Sequence, residues 1–291
     1  MAEPLKPSWQ IWKDRRGRLS WLRIATLAIL LAPCAKLIID WSAVYYSARP
    51  LNEVIHRAGF WALVFLGLTL AVTPFRRIFR YGSLIDVRRM IGVAAFFYIA
   101  AHLILFIADQ SFDLGKAAAE IVKRVYLIIG AIAWLGLFAL ALTSTDAMVK
   151  RLGGMRWRRL HQLIYGIALL ALIHYFQQTK ADVTVPTFTA GLFGWLLGYR
   201  LVAWQLGRSE LSPLWLLVLG VSVSALTFIC EAVGIGFVFN VSPLRVLETA
   251  FDFDAGIRPG WQVLAASLCV VVLETIFARW RRAPAKPVLA Q

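Results

Sequence analysis

Of 291 residues, 60% are hydrophobic and only 16% are charged, and the mean hydropathy is +0.69. That composition argues against a soluble globular domain with an ordinary charged surface. The 31 Lys+Arg against 16 Asp+Glu leave a net charge of +15, but the basic residues stand between long apolar runs, a pattern that belongs to a bilayer rather than to a soluble enzyme, a nucleic-acid-binding module or a disordered tail.

A helix needs about 20 apolar residues to cross the hydrocarbon core. Eight runs qualify as candidates: 21–44, 58–75, 91–108, 126–143, 160–177, 186–205, 213–239 and 260–280. The first run is too long for the h-region of a signal peptide, and no A-x-A site follows it. It carries Lys36 and Asp40, four apart and able to pair on one helix face. The second ends at Thr73-Pro74, a natural helix stop, followed by Arg76 and Arg77. Cys34, Cys230 and Cys269 each lie inside an apolar run without a CxxC partner, so neither a disulfide framework nor a zinc site is indicated. The last two runs lack histidine and carry Glu231 and Glu274; between them, Glu248, Asp252 and Asp254 mark a short exposed loop. No internal repeat of useful strength is visible. The expected fold is all-α, a polytopic membrane bundle of about eight transmembrane helices. Its parts are a basic tail (1–20), a six-helix domain (21–205), an appended two-helix segment (206–282) and a second tail (283–291).

Counting Lys and Arg in the connections separates two sides. The N-terminal tail (Lys6, Lys13, Arg15, Arg16, Arg18), the 76–89, 145–159 and 206–212 connections and the C-terminal tail (Lys286 included) hold 20; the opposite connections, Lys180 among their residues, hold 8. Positive charge accumulates inside, so both termini are expected in the cytoplasm, and most of the excess charge reports orientation and anionic lipid.

Four histidines are present: His56, His102, His161 and His174. An ionisable residue within a span costs free energy unless it has a partner, which makes it a candidate for function. Imidazole is also a usual axial ligand of haem iron. With both helices running outward, His102 lies about 16 Å above residue 91 and His174 about 21 Å above residue 160. Two imidazoles at one height on separate helices can clamp a b-type haem from both sides. His161, about 19.5 Å below His174, leaves room for a second haem. Arg88, on the heptad stripe of His102, and Arg89 could neutralise propionates there. In the basic sequence Trp157-Arg158-Arg159-Leu160-His161, an interfacial role for His161 fits as well as ligation. His56, at the edge of the second run, reads by itself as a solvated loop histidine. Phe96, Phe97, Tyr98, Tyr175 and Phe176 flank the pair, although ordinary core or lipid contact accounts for them.

No GxGxxG opens a helix after a strand; Gly234-Ile235-Gly236 lacks the third glycine. Walker, HExxH and nucleophile-elbow motifs are absent. Electrons for any haem must therefore come from a membrane quinol or a separate reductase, and must leave to an external acceptor.

Several segments in order carry a family resemblance: Leu70-Ala71-Val72-Thr73-Pro74-Phe75-Arg76-Arg77, Arg88-Arg89-Met90-Ile91-Gly92, Ala101-His102-Leu103, Leu142-Thr143-Ser144-Thr145, Arg151-Leu152-Gly153, Trp157-Arg158-Arg159-Leu160-His161 and Ile173-His174-Tyr175. Over about residues 20–205 the chain resembles the MsrQ type of haem-binding membrane subunit, within the ferric-reductase-like transmembrane superfamily. The resemblance implies a multi-pass inner-membrane b-type cytochrome with one or two haems b. Such a subunit passes electrons to a periplasmic molybdopterin-containing methionine sulfoxide reductase that repairs oxidised envelope proteins. His102, His161 and His174 match its haem-associated histidines, and His56 matches one often found before the second helix. The family is associated with FMN and with quinone, and neither has an assigned residue here. Its members commonly have six helices, so the pair after residue 212 departs from the pattern. Two rival readings stand beside this one. One is a stand-alone transmembrane ferric or quinol reductase. The other is a haem-free transporter with Lys36, Asp40, Glu231 and Glu274 as its relay.

Overall fold

The computed structural model describes residues 12–13, 17–43, 49–179, 182–254 and 256–282. Lys6, Arg15, Arg16, Lys180, Lys286 and the 283–291 tail lie outside the described residues. Within them the regular structure is helical, apart from one isolated bridge between Lys13 and Leu19. Twelve helices follow in order: α1 (Trp21–Ser42), α2 (Pro50–Ile78), α3 (Arg88–Asp109), α4 (Leu114–Lys123), α5 (Val125–Leu142), α6 (Asp146–Leu152), α7 (Gly154–His161), α8 (Ile164–Gln178), α9 (Thr184–Gln205), α10 (Pro213–Phe239), α11 (Pro243–Glu248) and α12 (Pro259–Arg282).

Seven segments are long and apolar enough to cross a membrane: α1, α2, α3, α5, the α7–α8 pair, α10 and α12. The run at 186–205, counted from sequence as an eighth, forms the 22-residue α9 but is not among the seven. Thr187, Thr189, three glycines and Arg200 dilute its apolar character. The expected stop at Thr73-Pro74 is corrected. Helix α2 runs on to Ile78 with Pro74 buried inside it, as membrane helices allow when neighbours satisfy the freed backbone. A second proline, Pro33, sits inside α1. One residue later the Cys34 N–H donates to the Tyr98 hydroxyl of α3 at 2.9 Å, and that hydroxyl donates to the Leu30 carbonyl at 2.8 Å.

The chain divides into two compact units. The first comprises residues up to Val72 and Ser83–Gln178. Its core includes Leu30, Phe65, Val72, Val87, Ile91 and Ala95, and α5 packs along α8. Helix α4, a short amphipathic element missed in the sequence, is capped by the Asp113 carboxylate, which accepts from Lys116 N–H at 2.9 Å.

The second unit comprises Thr73–Gly82 and residues from Thr179 onward. Helices α9, α10 and α12 pack on one another, with Gly191 fitted against Thr227 and Val263, the close approach that small residues permit between membrane helices. The last turn of α2 is tied in by the Arg80–Glu210 pair at 2.8 Å and by Arg281 donating to the Phe79 carbonyl. Helix α9, assigned from sequence to a six-helix domain ending at 205, thus clusters with α10 and α12.

Candidate functional site

Two imidazoles face each other inside the first unit. His102 projects from α3 and His174 from α8, their ring centroids 6.3 Å apart and their planes at 89°. Each is held from behind by a backbone carbonyl of a different helix. His102 Nδ1–H donates to Ile55 O of α2 at 2.7 Å, and His174 Nδ1–H donates to Tyr126 O of α5 at 2.7 Å. A carbonyl can only accept, so the proton sits on Nδ1 and each Nε2 keeps its lone pair. This is the orientation that an outer-shell acceptor gives a metal-binding histidine.

The pair lines a cavity of about 550 Å³, within the size range of cofactor sites. Ile99, Phe106, Leu127 and Trp134 give it apolar walls, and Arg49, Asn52, Glu120 and Arg124 stand among its polar lining. Arg124 pairs with Glu120 at 2.9 Å. A smaller space of about 80 Å³, lined by Phe60, Leu66 and Tyr175, also touches both rings. His56, the residue after the Ile55 acceptor, lines both spaces. The Trp134 indole N–H is buried on the wall of the larger one and has no acceptor among the described residues.

The donor set fits a metal that brings most of its own ligands. Among the described residues no group of three or more His, Cys, Asp or Glu converges on one point. Two neutral imidazoles would suit a metal that brings further donors with it, as haem iron does. The spacing agrees. The 6.3 Å between the ring centroids leaves space for one metal that the two imidazoles would hold.

The other candidates lie elsewhere. At the end of α7, the His161 ring stacks on Trp157 at 4.0 Å, and its Nε2 shares a 3.2 Å hydrogen bond with Thr143 Oγ1. Trp157 in turn donates to the Thr143 carbonyl at 2.8 Å. Arg88 and Arg89 open α3, and Arg89 pairs with Asp146 at 2.6 Å. Fourteen helical residues, about 21 Å, separate Arg88 from His102. The residues of the transporter reading are engaged in part in ion pairs. In the first unit Asp40 accepts from Lys36 at 3.0 Å and from Arg57 at 2.9 Å; in the second, Glu231 pairs with Arg258 at 3.4 Å. Sequence reasoning brought out the two imidazoles and missed Ile55, Tyr126, Trp134, Arg49 and Arg124. A carbonyl leaves no trace in a sequence, except that a glycine stands one turn after each of these two acceptors.

The fold and site define a class: a polytopic helical membrane protein with an imidazole pair facing across its interior. Residues 19–172 match the family described as ferric reductase like transmembrane component, and the chain belongs to that family. The match takes in α1 to α7 and part of α8, ending at Leu172, two residues before His174. The chain is also similar to three proteins named protein-methionine-sulfoxide reductase heme-binding subunit MsrQ. That of Rhodospirillum rubrum is 41% identical over 191 residues, 65% of this chain and 89% of the relative. Xanthomonas oryzae has one 42% identical over 61% of this chain and 84% of its own length. A third, from Ralstonia nicotianae, is 39% identical over 62% and 84%. No solved structure matches the chain.

Proposed function

We propose that this chain is the haem-binding membrane subunit of a bacterial methionine sulfoxide reductase system, an electron-transfer component of the inner membrane. The observation that carries the reading is the facing pair, two imidazoles 6.3 Å apart with both Nδ1 protons already committed to carbonyls. The names of its relatives supply the system. A bound haem b supplies one-electron iron chemistry, with a potential set by its ligands and burial. The protein's own residues do the rest. His102 and His174 hold the group, the Ile55 and Tyr126 carbonyls fix both rings, and the apolar wall keeps water away. Arg49 and Arg124, at the cavity, suit carboxylates.

The excess of Lys and Arg on one set of connections supports cytoplasmic termini. With that orientation the polar residues of the cavity, at the ends of α2, α3 and α4, face the periplasm. The acceptor is then a periplasmic molybdopterin-containing catalytic subunit, where sulfoxide reduction itself takes place. The donor is the quinol pool or a cytoplasmic flavin reductase, and FMN or quinone is a further cofactor without assigned residues. The facing pair supports one haem. A second haem at His161, with Arg88 and Arg89 at its propionates, requires His161 to exchange Thr143 for iron. The family match also supports a stand-alone ferric or quinol reductase, and co-purification with a molybdopterin protein separates the two readings.

The test is pyridine haemochrome quantification per chain. His102→Ala and His174→Ala should each lose most of the haem, while His161→Ala keeps it. Full haem loading in both of the first two variants would falsify the ligand assignment. A fall by half in the third would establish a second haem at His161.

A further inference from the structure

Behind each imidazole stands a glycine. Gly59 follows Ile55 by one helical turn on α2, and Gly130 follows Tyr126 by one turn on α5. A Cβ at Gly59 would lie 2.9 Å from His102 Nδ1 and 3.1 Å from its Cε1. At Gly130 it would lie 2.9 Å from both Nδ1 and Cε1 of His174 and 3.3 Å from its Nε2. Contacts under 3 Å leave no room for a methyl group unless the ring retreats. Carbonyl, glycine and histidine therefore form one device that occurs twice, at residues 55, 59 and 102 and again at 126, 130 and 174.

We propose that Gly59 and Gly130 are positioning residues that set how closely the two imidazoles approach the group held between them. The inference rests on the haem reading for the identity of that group. Each carbonyl is bonded through a ring lying against the bare backbone of the next turn. A side chain there pushes the ring off its 2.7 Å bond and tilts the lone pair. Metal–ligand distances tolerate only about 0.2 Å. The two sites are unequal: at Gly130 the added methyl reaches Nε2, the atom that would meet the metal, whereas at Gly59 it meets Nδ1, Cε1 and Cγ. Gly130→Ala is thus the more damaging change.

An ordinary packing glycine on the same helix provides the control. A Cβ at Gly136 of α5 would lie 2.8 Å from Ile167 Cγ1 of α8, an equally tight contact with no imidazole in it. The experiment compares the full-length chain, purified with haem, with its Gly59→Ala, Gly130→Ala and Gly136→Ala variants. Readouts are the low-spin bis-imidazole spectrum and haem retention on dilution. Gly130→Ala should convert much of the low-spin signal to high spin and weaken retention roughly 10–100-fold, with Gly59→Ala affected less. Gly136→Ala should lower thermal stability and leave the spectrum alone. Wild-type spectra and retention in both Gly59→Ala and Gly130→Ala overturn the proposal. So does an equal spectral change in Gly136→Ala. A wild-type chain without a bis-imidazole spectrum sinks the haem reading first, and the inference with it. If Gly130→Ala folds poorly, its thermal cost is measured again on the His174→Ala background. That cost should shrink once the ring is gone; a cost that persists makes Gly130 a packing residue only.

Discussion

Asp40 is only 6% exposed within an apolar helix, and a carboxylate is tolerated there because two cations share it. Arg57 reaches it from α2 while also pairing with Glu53 at 2.6 Å. Lys36 reaches it from one turn earlier on α1, with its own side chain 70% exposed. The two donors are therefore unequal. Losing Arg57 leaves the buried Asp40 carboxylate with Lys36 alone, and stranding a buried charge costs up to about 3–5 kcal/mol, whereas losing the exposed Lys36 leaves Asp40 its Arg57. Arg57→Ala should lower the melting temperature in detergent markedly, and Lys36→Ala should lower it less. Equal shifts would mean that the network is dispersed rather than carried by the Arg57–Asp40 pair. The Lys36–Asp40 pair is legible from a spacing of four residues. Arg57 is not, because nothing local tells how α1 and α2 are rotated against each other. The same holds for the imidazoles. Polarity within an apolar run and a matched depth single out His102 and His174, but the acceptors Ile55 and Tyr126 belong to other helices and act through backbone atoms.

Helix α7 ends in a histidine that is built into a local packing cluster. Its Trp157 and His161 lie one turn apart, stack on each other and both bond to Thr143 at the end of α5. This braces a short basic helix against a span. A hydrogen bond contributes about 1 kcal/mol net and an aromatic stack roughly 0.5–1.5 kcal/mol more. Trp157→Ala and His161→Ala should each reduce thermal stability by an amount of this order. The spectrum of a haem held by His102 and His174 should stay unchanged, as absorption spectra of both variants can check. A sequence reading leaves interfacial and ligating roles open for His161 and does not reveal its hydrogen-bond partner Thr143, eighteen residues away. Helix limits are also partly hidden. Pro74 signals a stop in any soluble helix, yet α2 passes through it. Helix α4 escaped notice because ten residues carrying Lys116, Glu120 and Lys123 look like a loop when only apolar length is counted.

At the scale of the molecule, composition and apolar length are enough to establish a polytopic helical membrane protein, since hydropathy is a local property that the bilayer reads directly. Which helices pack together is not local, and it is here that the expected grouping and the observed one part. Helix α9 joins α10 and α12, and the terminal stretch of α2 lies in that unit too, with Phe75 beside Trp195 and Phe79 against Phe277. Both imidazoles, both acceptor carbonyls and the cavity lie in the first unit. The family match ends at residue 172, also within that unit. A chain terminated after Gln178 should therefore keep the bis-imidazole spectrum. It would retain Thr73–Gly82 but lose Trp195, Glu210, Phe277 and Arg281, the groups that hold that stretch, so its melting temperature should fall. Spectroscopy and thermal denaturation of the truncated protein in detergent separate the two effects. Loss of the spectrum from a chain that remains helical would show that the second unit shapes the site as well as steadying the helix that leads to it.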